Sequence, residues 1–280
     1  LDRQGIYYDP TRQSDLDDLI RERVSLTPQQ ERRVETLVMR LIKHEVTKYN
    51  LDGDLPDLPK GHRVLVPGQV EDDASIRLGA GKINTNMKLL QAVRAARPNA
   101  VVIYKPHPDV EAGLRKGRIK SAESWADVVA EQANPAALID SVDAVWTMTS
   151  LLGFEALLRR VPVTCVGLPF YAGWGLTRDR LEAPHWRDVR PGILSLAHAA
   201  LIDYPRYFDP LSNLPCSPEV AVDRLIAGDL PAPGGVNRSL SKLQGLLASF
   251  APLWRGAQDA RLCLALRGIF KKMKRAPGAL

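Results

Sequence analysis

The apolar positions of this chain change their period near residue 60. Beyond it, His62–Val66, Ala100–Tyr104, Ala144–Thr147 and Val161–Val166 are short, nearly continuous apolar runs bounded by Pro, Gly or charged residues. Runs of that length read as strands buried on both faces. Between them lie stretches of helical periodicity near Thr85–Arg97 and over Trp125–Gln132, Pro135–Val142 and Leu151–Arg159. Strands alternating with helical crossovers predict an α/β lobe with a doubly wound parallel sheet. Before residue 60 the pattern is helical over Leu16–Ser25 and Thr27–Asn50. In the second segment Thr27 is the expected N-cap, Pro28 sits at N1, and Val34, Leu37, Val38, Leu41 and Ile42 form the apolar stripe. Gly5–Tyr8 reads as a short strand. The breaker-rich stretch Asp52–Lys60, with Gly53, Pro56 and Pro59, is the expected boundary between residues 1–57 and a lobe spanning 58–233.

Composition adds two constraints. With 280 residues, 45% hydrophobic and 25% charged, the chain can bury a sizeable core, and it shows neither a run long enough to span a bilayer nor a secretory signal pattern. The cytoplasm is the default expectation. Cys165, Cys216 and Cys263 lack paired spacing, which argues against a zinc site or a disulfide framework. The net charge of +6 is concentrated at one end: Val236–Leu280 holds nine Lys or Arg and one acid, whereas residues 1–235 hold 29 basic and 31 acidic residues. Leu243, Leu247, Phe250, Trp254, Leu262, Leu266, Ile269 and Phe270 recur there at near-helical spacing among the basic residues. Residues 234–280 are therefore expected to form basic amphipathic helices, suited either to an anionic membrane surface or to docking on another part of the chain. Too few aromatic residues interleave with that charge for a base-stacking surface, so no nucleic acid is expected.

Four loops that follow predicted strands carry candidate chemistry. In the first, Gln69, Glu71, Asp72, Asp73 and Ser75 place three adjacent carboxylates after His62–Val66, either as a solvated patch or with one acid reserved for chemistry. In the second, Lys105, His107 and Pro108 present a histidine between two prolines, suited to an anionic group or to plain packing in a turn. In the third, Thr149 and Ser150 lead into a helix containing Gly153 and Glu155. Its amides and dipole favour a phosphate, Gly153 would permit close ligand approach, and Glu155 suits ribose hydroxyls; ordinary N-capping fits the hydroxyl pair equally. In the fourth, Phe170, Tyr171, Gly173 and Trp174 form a glycine and aromatic loop, expected to cover a ligand or seal an interface. A doubly wound fold brings all four to one sheet edge, where such proteins bind ligands. No Walker phosphate loop and no Gly-x-Gly-x-x-Gly occurs, which disfavours P-loop ATPases and dinucleotide oxidoreductases.

Taken in order, Gln69-x-x-x-Asp73-x-Ser75, His107-Pro108, Thr149-Ser150 and Phe170-Tyr171-Ala172-Gly173-Trp174-Gly175 resemble the motifs of the bacterial capsule polysaccharide β-Kdo glycosyltransferases of the KpsC type. The resemblance covers roughly Gly5–Ala227. It implies a GT-B architecture with a partial, truncated N-terminal acceptor lobe, CMP-Kdo as donor, and a lipid-linked Kdo oligosaccharide as acceptor, with no metal and no cofactor. By the same resemblance Asp73 is the nucleophile of a retaining double displacement. His107, Thr149 and Ser150 hold the phosphate, Glu155 holds the ribose, and the acid/base lies upstream of Leu1. The isolated chain is then expected to bind CMP but transfer little Kdo, at the cytoplasmic face of the inner membrane. A non-catalytic nucleotide-binding export scaffold and a GT-B-fold nucleotide-sugar epimerase are the competing expectations.

Overall fold

The computed structural model describes residues 2–47 and 53–229, all within one compact unit, Leu1–Ala232. The expectations for residues 234–280 and for Cys263 lie outside the described residues. Two helices open the chain. Helix α1 (Asp15–Glu22) starts at Ser14 and α2 (Pro28–Lys43) at Thr27, each through a capping box in which side chain and backbone of the cap and the third helical residue bond reciprocally. The α2 helix covers the whole apolar stripe but ends at Lys43, short of the expected Asn50, because Glu45 adopts a left-handed φ of 51° just beyond it.

The alternating region then folds as β1 (Arg63–Pro67), α3 (Ala74–Gly79), α4 (Asn86–Ala96), β2 (Val101–Lys105), α5 (Pro108–Glu111), β3 (Val128–Val129), α6 (Pro135–Asp140), β4 (Ala144–Thr147), α7 (Leu151–Leu158), β5 (Val163–Cys165) and β6 (Arg178–Asp179). These strands form a six-stranded, wholly parallel sheet in the order β3-β2-β1-β4-β5-β6. The order reverses between β1 and β4, so their loops diverge to opposite faces and leave a crevice at the carboxyl ends. Helix α8 (Ile193–His198), which continues into a π-helical turn at Ala199–Asp203, a small hairpin of β7 (Tyr207–Phe208) and β8 (Pro215–Cys216), and α9 (Pro218–Ala227) complete the described chain.

Side chains alternate across the sheet as strand geometry requires. Val64, Val66, Val102, Tyr104 and Trp146 pack on one face with α4 residues Leu89, Leu90 and Val93. Leu65, Ile103, Val145, Val163 and Cys165 pack on the other, in a core shared with Leu16, Ile20, Val34 and Val38 of the two opening helices. Burial on both faces explains why the strands read as unbroken apolar runs.

Two expectations are corrected here. Trp125–Gln132 is not a helix: its centre is edge strand β3, which pairs with β2, preceded by a 3-10 turn at Ala122–Ser124. Asp127 decides the matter, because its carboxylate accepts the Val102 N–H at 2.7 Å and pairs with Arg94 at 2.7 Å, fastening the segment to the sheet against its helical pattern. Gly5–Tyr8 is a turn without ladder partners. The Asp2 carboxylate gathers the N–H groups of Gln4, Gly5 and Asp15 and the Tyr204 hydroxyl, which folds the N-terminal segment back onto α1.

Candidate active site

The crevice at the β1/β4 switch is a cleft of about 410 Å³. Among its lining residues are Gln69, Asp73 and Ser75 after β1, Lys105, His107 and Pro108 after β2, Thr149, Ser150 and Glu155 at the start of α7, and Phe170 after β5. Four separately read loops therefore meet at one site. Parallel strands all point their carboxyl ends the same way, so the convergence follows from topology.

The β1 and β4 loops are locked by Gln69, which is 7% exposed. Its Nε2 donates to Thr149 Oγ1 at 2.9 Å, and its Oε1 accepts the Thr149 N–H at 3.0 Å. The Thr149 hydroxyl passes the chain on to Ser75 Oγ at 3.3 Å, and Ser75 donates its hydroxyl and N–H to Asp73 Oδ1 at 2.8 and 2.9 Å. Every donor in this relay points toward the Asp73 carboxylate, an arrangement in which each bond polarises the next. Asp73 is also the N-cap of α3, a helix absent from the sequence reading.

The three adjacent acids are not interchangeable. Glu71 accepts the Asn86 N–H at 2.8 Å and so fastens the start of α4. Asp72 pairs with Arg115 at 3.0 Å. Asp73 alone of the three lines the cleft.

On the β2 side, His107 caps the one-turn helix α5, its Nδ1 accepting the Asp109 N–H at 3.1 Å. That bond leaves the ring proton on Nε2 when the imidazole is neutral. Lys105 is 4% exposed, and its Nζ lies 3.8 Å from Glu111 Oε1, an ion pair longer than a hydrogen bond. Burial pushes the Lys105 ammonium below its ordinary pKa, partly countered by Glu111. On the β4 side, Ser150 caps α7, its hydroxyl accepting the Leu152 N–H at 3.3 Å. The helix N-terminus thus opens on the same cleft as the histidine, where its unpaired amides favour an anion. Among the described residues, no three His, Cys, Asp or Glu side chains gather as a metal site.

Two assignments change. Gly153 does not line the cleft: a Cβ there would meet the Tyr171 ring at Cζ, 2.9 Å away, with the hydroxyl oxygen nearer still, so this glycine makes room for a core tyrosine. The aromatic loop is likewise core. Tyr171 and Trp174 are 0% exposed, Tyr171 donates to Ser150 O, and the Trp174 indole donates to Phe170 O at 2.8 Å. Gly173 supplies a φ of 85°, and a Cβ there would collide with Ala183. Buried Arg187 holds the loop, donating to Pro169 O and Ala172 O, both at 2.8 Å, while pairing with Asp17 of α1 at 3.1 Å. Only Pro169 and Phe170 of this segment reach the cleft.

Sequence reasoning missed Asn86, Arg115, Tyr7 and Tyr8. Tyr7 and Tyr8 form a wall of the cleft, with Tyr7 edge-on to Phe170 at 6.0 Å. Asn86 is fully buried, and follows an ordinary Thr85 cap with no periodicity signal.

Comparison with known proteins identifies the family. The family model described as capsule polysaccharide biosynthesis protein matches residues 32–207. The chain is similar to the capsule polysaccharide modification protein LipA of Neisseria meningitidis serogroup B, 47% identical over 190 residues, covering 66% of this chain and 27% of that protein. It is similar to the lipopolysaccharide-processing protein LpsZ of Rhizobium meliloti, 43% identical over 215 residues, covering 74% of this chain and 48% of that protein. The chain thus spans between about a quarter and a half of these relatives. Among solved structures, the Thermosulfurimonas dismutans KpsC β-Kdo 2,4 transferase superposes with a TM-score of 0.74 at 36% identity, over 80% of this chain and 71% of that one. The β-Kdo 2,7 transferase of the same organism gives 0.70 at 35% identity, over 81% and 72%. With its family match extending from α2 to the hairpin, this chain belongs to the capsule polysaccharide biosynthesis protein family.

Proposed function

We propose that this chain carries the donor-binding and nucleophile-bearing part of a retaining glycosyltransferase that moves Kdo from CMP-Kdo to a lipid-linked Kdo acceptor for capsule linker synthesis. The family match and the likeness to two KpsC Kdo transferases support the reaction class. The observation that carries the residue roles is the relay from Gln69 through Thr149 and Ser75 to Asp73, since it fixes one carboxylate in direction beside an anion cradle.

In this reading the Asp73 carboxylate attacks the anomeric carbon, the bond to the CMP phosphate breaks with its electron pair, and the acceptor hydroxyl, giving its proton to a general base, then displaces Asp73. Two inversions give net retention. The His107 ring, Ser150 and the first amides of α7 face the leaving phosphate, where aimed donors stabilise developing charge. Glu155, one turn into α7, takes the ribose hydroxyls. Tyr7 and Tyr8, within the 1–57 segment expected on the acceptor side, also line the cleft. The basic residues of 234–280 suit contact with anionic lipid, which supports a site at the cytoplasmic face of the inner membrane, near a lipid-linked acceptor.

The decisive experiment is to incubate the protein with CMP-Kdo and map any covalent Kdo adduct by mass spectrometry. An adduct on Asp73, absent from Asp73→Asn, is expected. CMP-Kdo binding with no adduct on any carboxylate returns the reading to a nucleotide-binding scaffold, and unimpaired transfer by Asp73→Ala rejects the nucleophile.

A further inference from the structure

We infer that Arg115 reads the carboxylate of the donor sugar, and that Asn86 is the positioning residue that holds Arg115 in place. The inference rests on the Kdo-transfer reading above and adds a specificity determinant to it.

A Kdo donor is an ulosonate: its anomeric carbon bears a carboxylate as well as the phosphate. A nucleophile that reaches that carbon therefore has a second anion within a few ångströms, and burying that anion unpaired is costly. Among the described residues that line the cleft, the basic side chains are Lys105, His107 and Arg115. The Lys105 ammonium is buried against Glu111, and His107 Nδ1 is committed to capping α5. Arg115 carries the one guanidinium, a planar fork matched to carboxylate geometry. Its Nη2 donates to Asp72 Oδ1 at 3.0 Å, which sets the group beside the residue preceding the nucleophile and orients its remaining N–H donors.

The loop bearing Arg115 is built to hold still. Arg115 N–H donates to Asp109 O at 3.1 Å, and Glu71 N–H donates to Lys116 O at 3.1 Å. Gly117 has a φ of 136°, and a Cβ there would strike Gln69 O at 2.7 Å and Asn86 Nδ2 at 2.8 Å, so the loop backbone lies directly on the β1 loop. Asn86, 0% exposed, cements the junction. Its Oδ1 accepts the Gln69 N–H, and its Nδ2 donates to both Gln69 O and Gly117 O, all at 2.8 Å. One buried amide thus ties the nucleophile loop to the arginine loop. A requirement only for nucleotide binding gives no reason to register these two loops against each other; simultaneous contact with one carbon and its carboxylate does.

The test measures equilibrium binding of CMP and of CMP-Kdo to the full chain, for wild type, Arg115→Gln and Arg115→Lys, with melting temperatures as a folding check. CMP affinity is expected to stay within about twofold in both variants. CMP-Kdo affinity is expected to fall at least about tenfold in Arg115→Gln and by an intermediate factor in Arg115→Lys, which keeps the charge but loses the fork. Asn86→Ala is expected to weaken CMP-Kdo more than CMP. Equal losses for both ligands, or unchanged CMP-Kdo binding in Arg115→Gln, overturn the assignment while leaving the Kdo-transfer reading intact. A wild type that binds neither ligand overturns both.

Discussion

Replacing Gly153 by alanine separates a packing role from a ligand role at the start of α7. The added Cβ would stand 2.9 Å from Tyr171 Cζ, closer still to its hydroxyl, and 3.1 Å from Thr147 Cγ2. Tyr171 has no surface to retreat to, being 0% exposed and bonded to Ser150 O. Overpacking a rigid core by one methyl costs about 1–3 kcal/mol, and losing the tyrosine hydrogen bond adds about 1 kcal/mol. The total is about 2–4 kcal/mol, or a melting temperature lower by about 4–16 °C for a unit of this size. Thermal unfolding followed by circular dichroism reads this directly. The second arm is Tyr171→Phe, which removes the nearest atom; the double variant is expected to be less destabilised than the sum of the singles by about 1 kcal/mol or more, because the two sites touch. A Gly153→Ala protein that melts within about 1 °C of wild type but has lost CMP affinity would refute the packing argument and restore the glycine to the ligand.

Other consequences follow from single features. Asn86→Ala strips partners from the Gln69 N–H, Gln69 O and Gly117 O, so a loss of about 3–5 kcal/mol is expected in urea unfolding, at about 1–3 kcal/mol per orphaned group before relaxation. Arg187→Met leaves Asp17 buried and unpaired and frees two loop carbonyls; unfolding free energy is expected to drop by about 3–5 kcal/mol, whereas a change below about 1 kcal/mol would show that α1 and the Phe170 loop are not joined through this pair. The Arg33 hydrogen bond holds Glu219 down to about 2, below its unfolded value of about 4.3. Its contribution is therefore complete above pH ~4.3 and lost as pH falls toward 2, and Glu219→Gln is expected to flatten the stability profile across that window and to lower stability by the same amount at every pH above it, pH 7 to 8 included. Deleting 234–280 is expected to weaken cosedimentation with anionic vesicles, and equal binding with and without the tail would remove the membrane assignment.

The parallel sheet was legible because strands buried on both faces write themselves as unbroken apolar runs, and Ala144–Thr147 emerges with the bounds the pattern predicts. The convergence of four loops was legible for the same reason: parallel topology decides it. Trp125–Gln132 was not, because the side chain that overrides its helical period, Asp127, acts through partners 25 and 33 residues away. The roles of Gly153, Tyr171 and Trp174 were hidden similarly. A glycine beside a phosphate and a glycine beneath a tyrosine look alike in sequence, and only the position of the ring tells them apart. Asn86 gave no signal at all, since a lone polar residue after a helix cap is unremarkable until its four partners are seen.

The clamp between Gln69 and Thr149 also sets a length. The Asp73 loop follows one strand and the Thr149–Ser150 turn follows its neighbour, and the Gln69 amide bridges them with two hydrogen bonds of 2.9 and 3.0 Å. Adjacent strands keep a spacing of about 4.8 Å, so neither end can drift without breaking both bonds. The clamp therefore sets a fixed gauge between the Asp73 loop and the start of α7. Under the proposed transfer, a donor fits when its anomeric carbon and phosphate span that gauge.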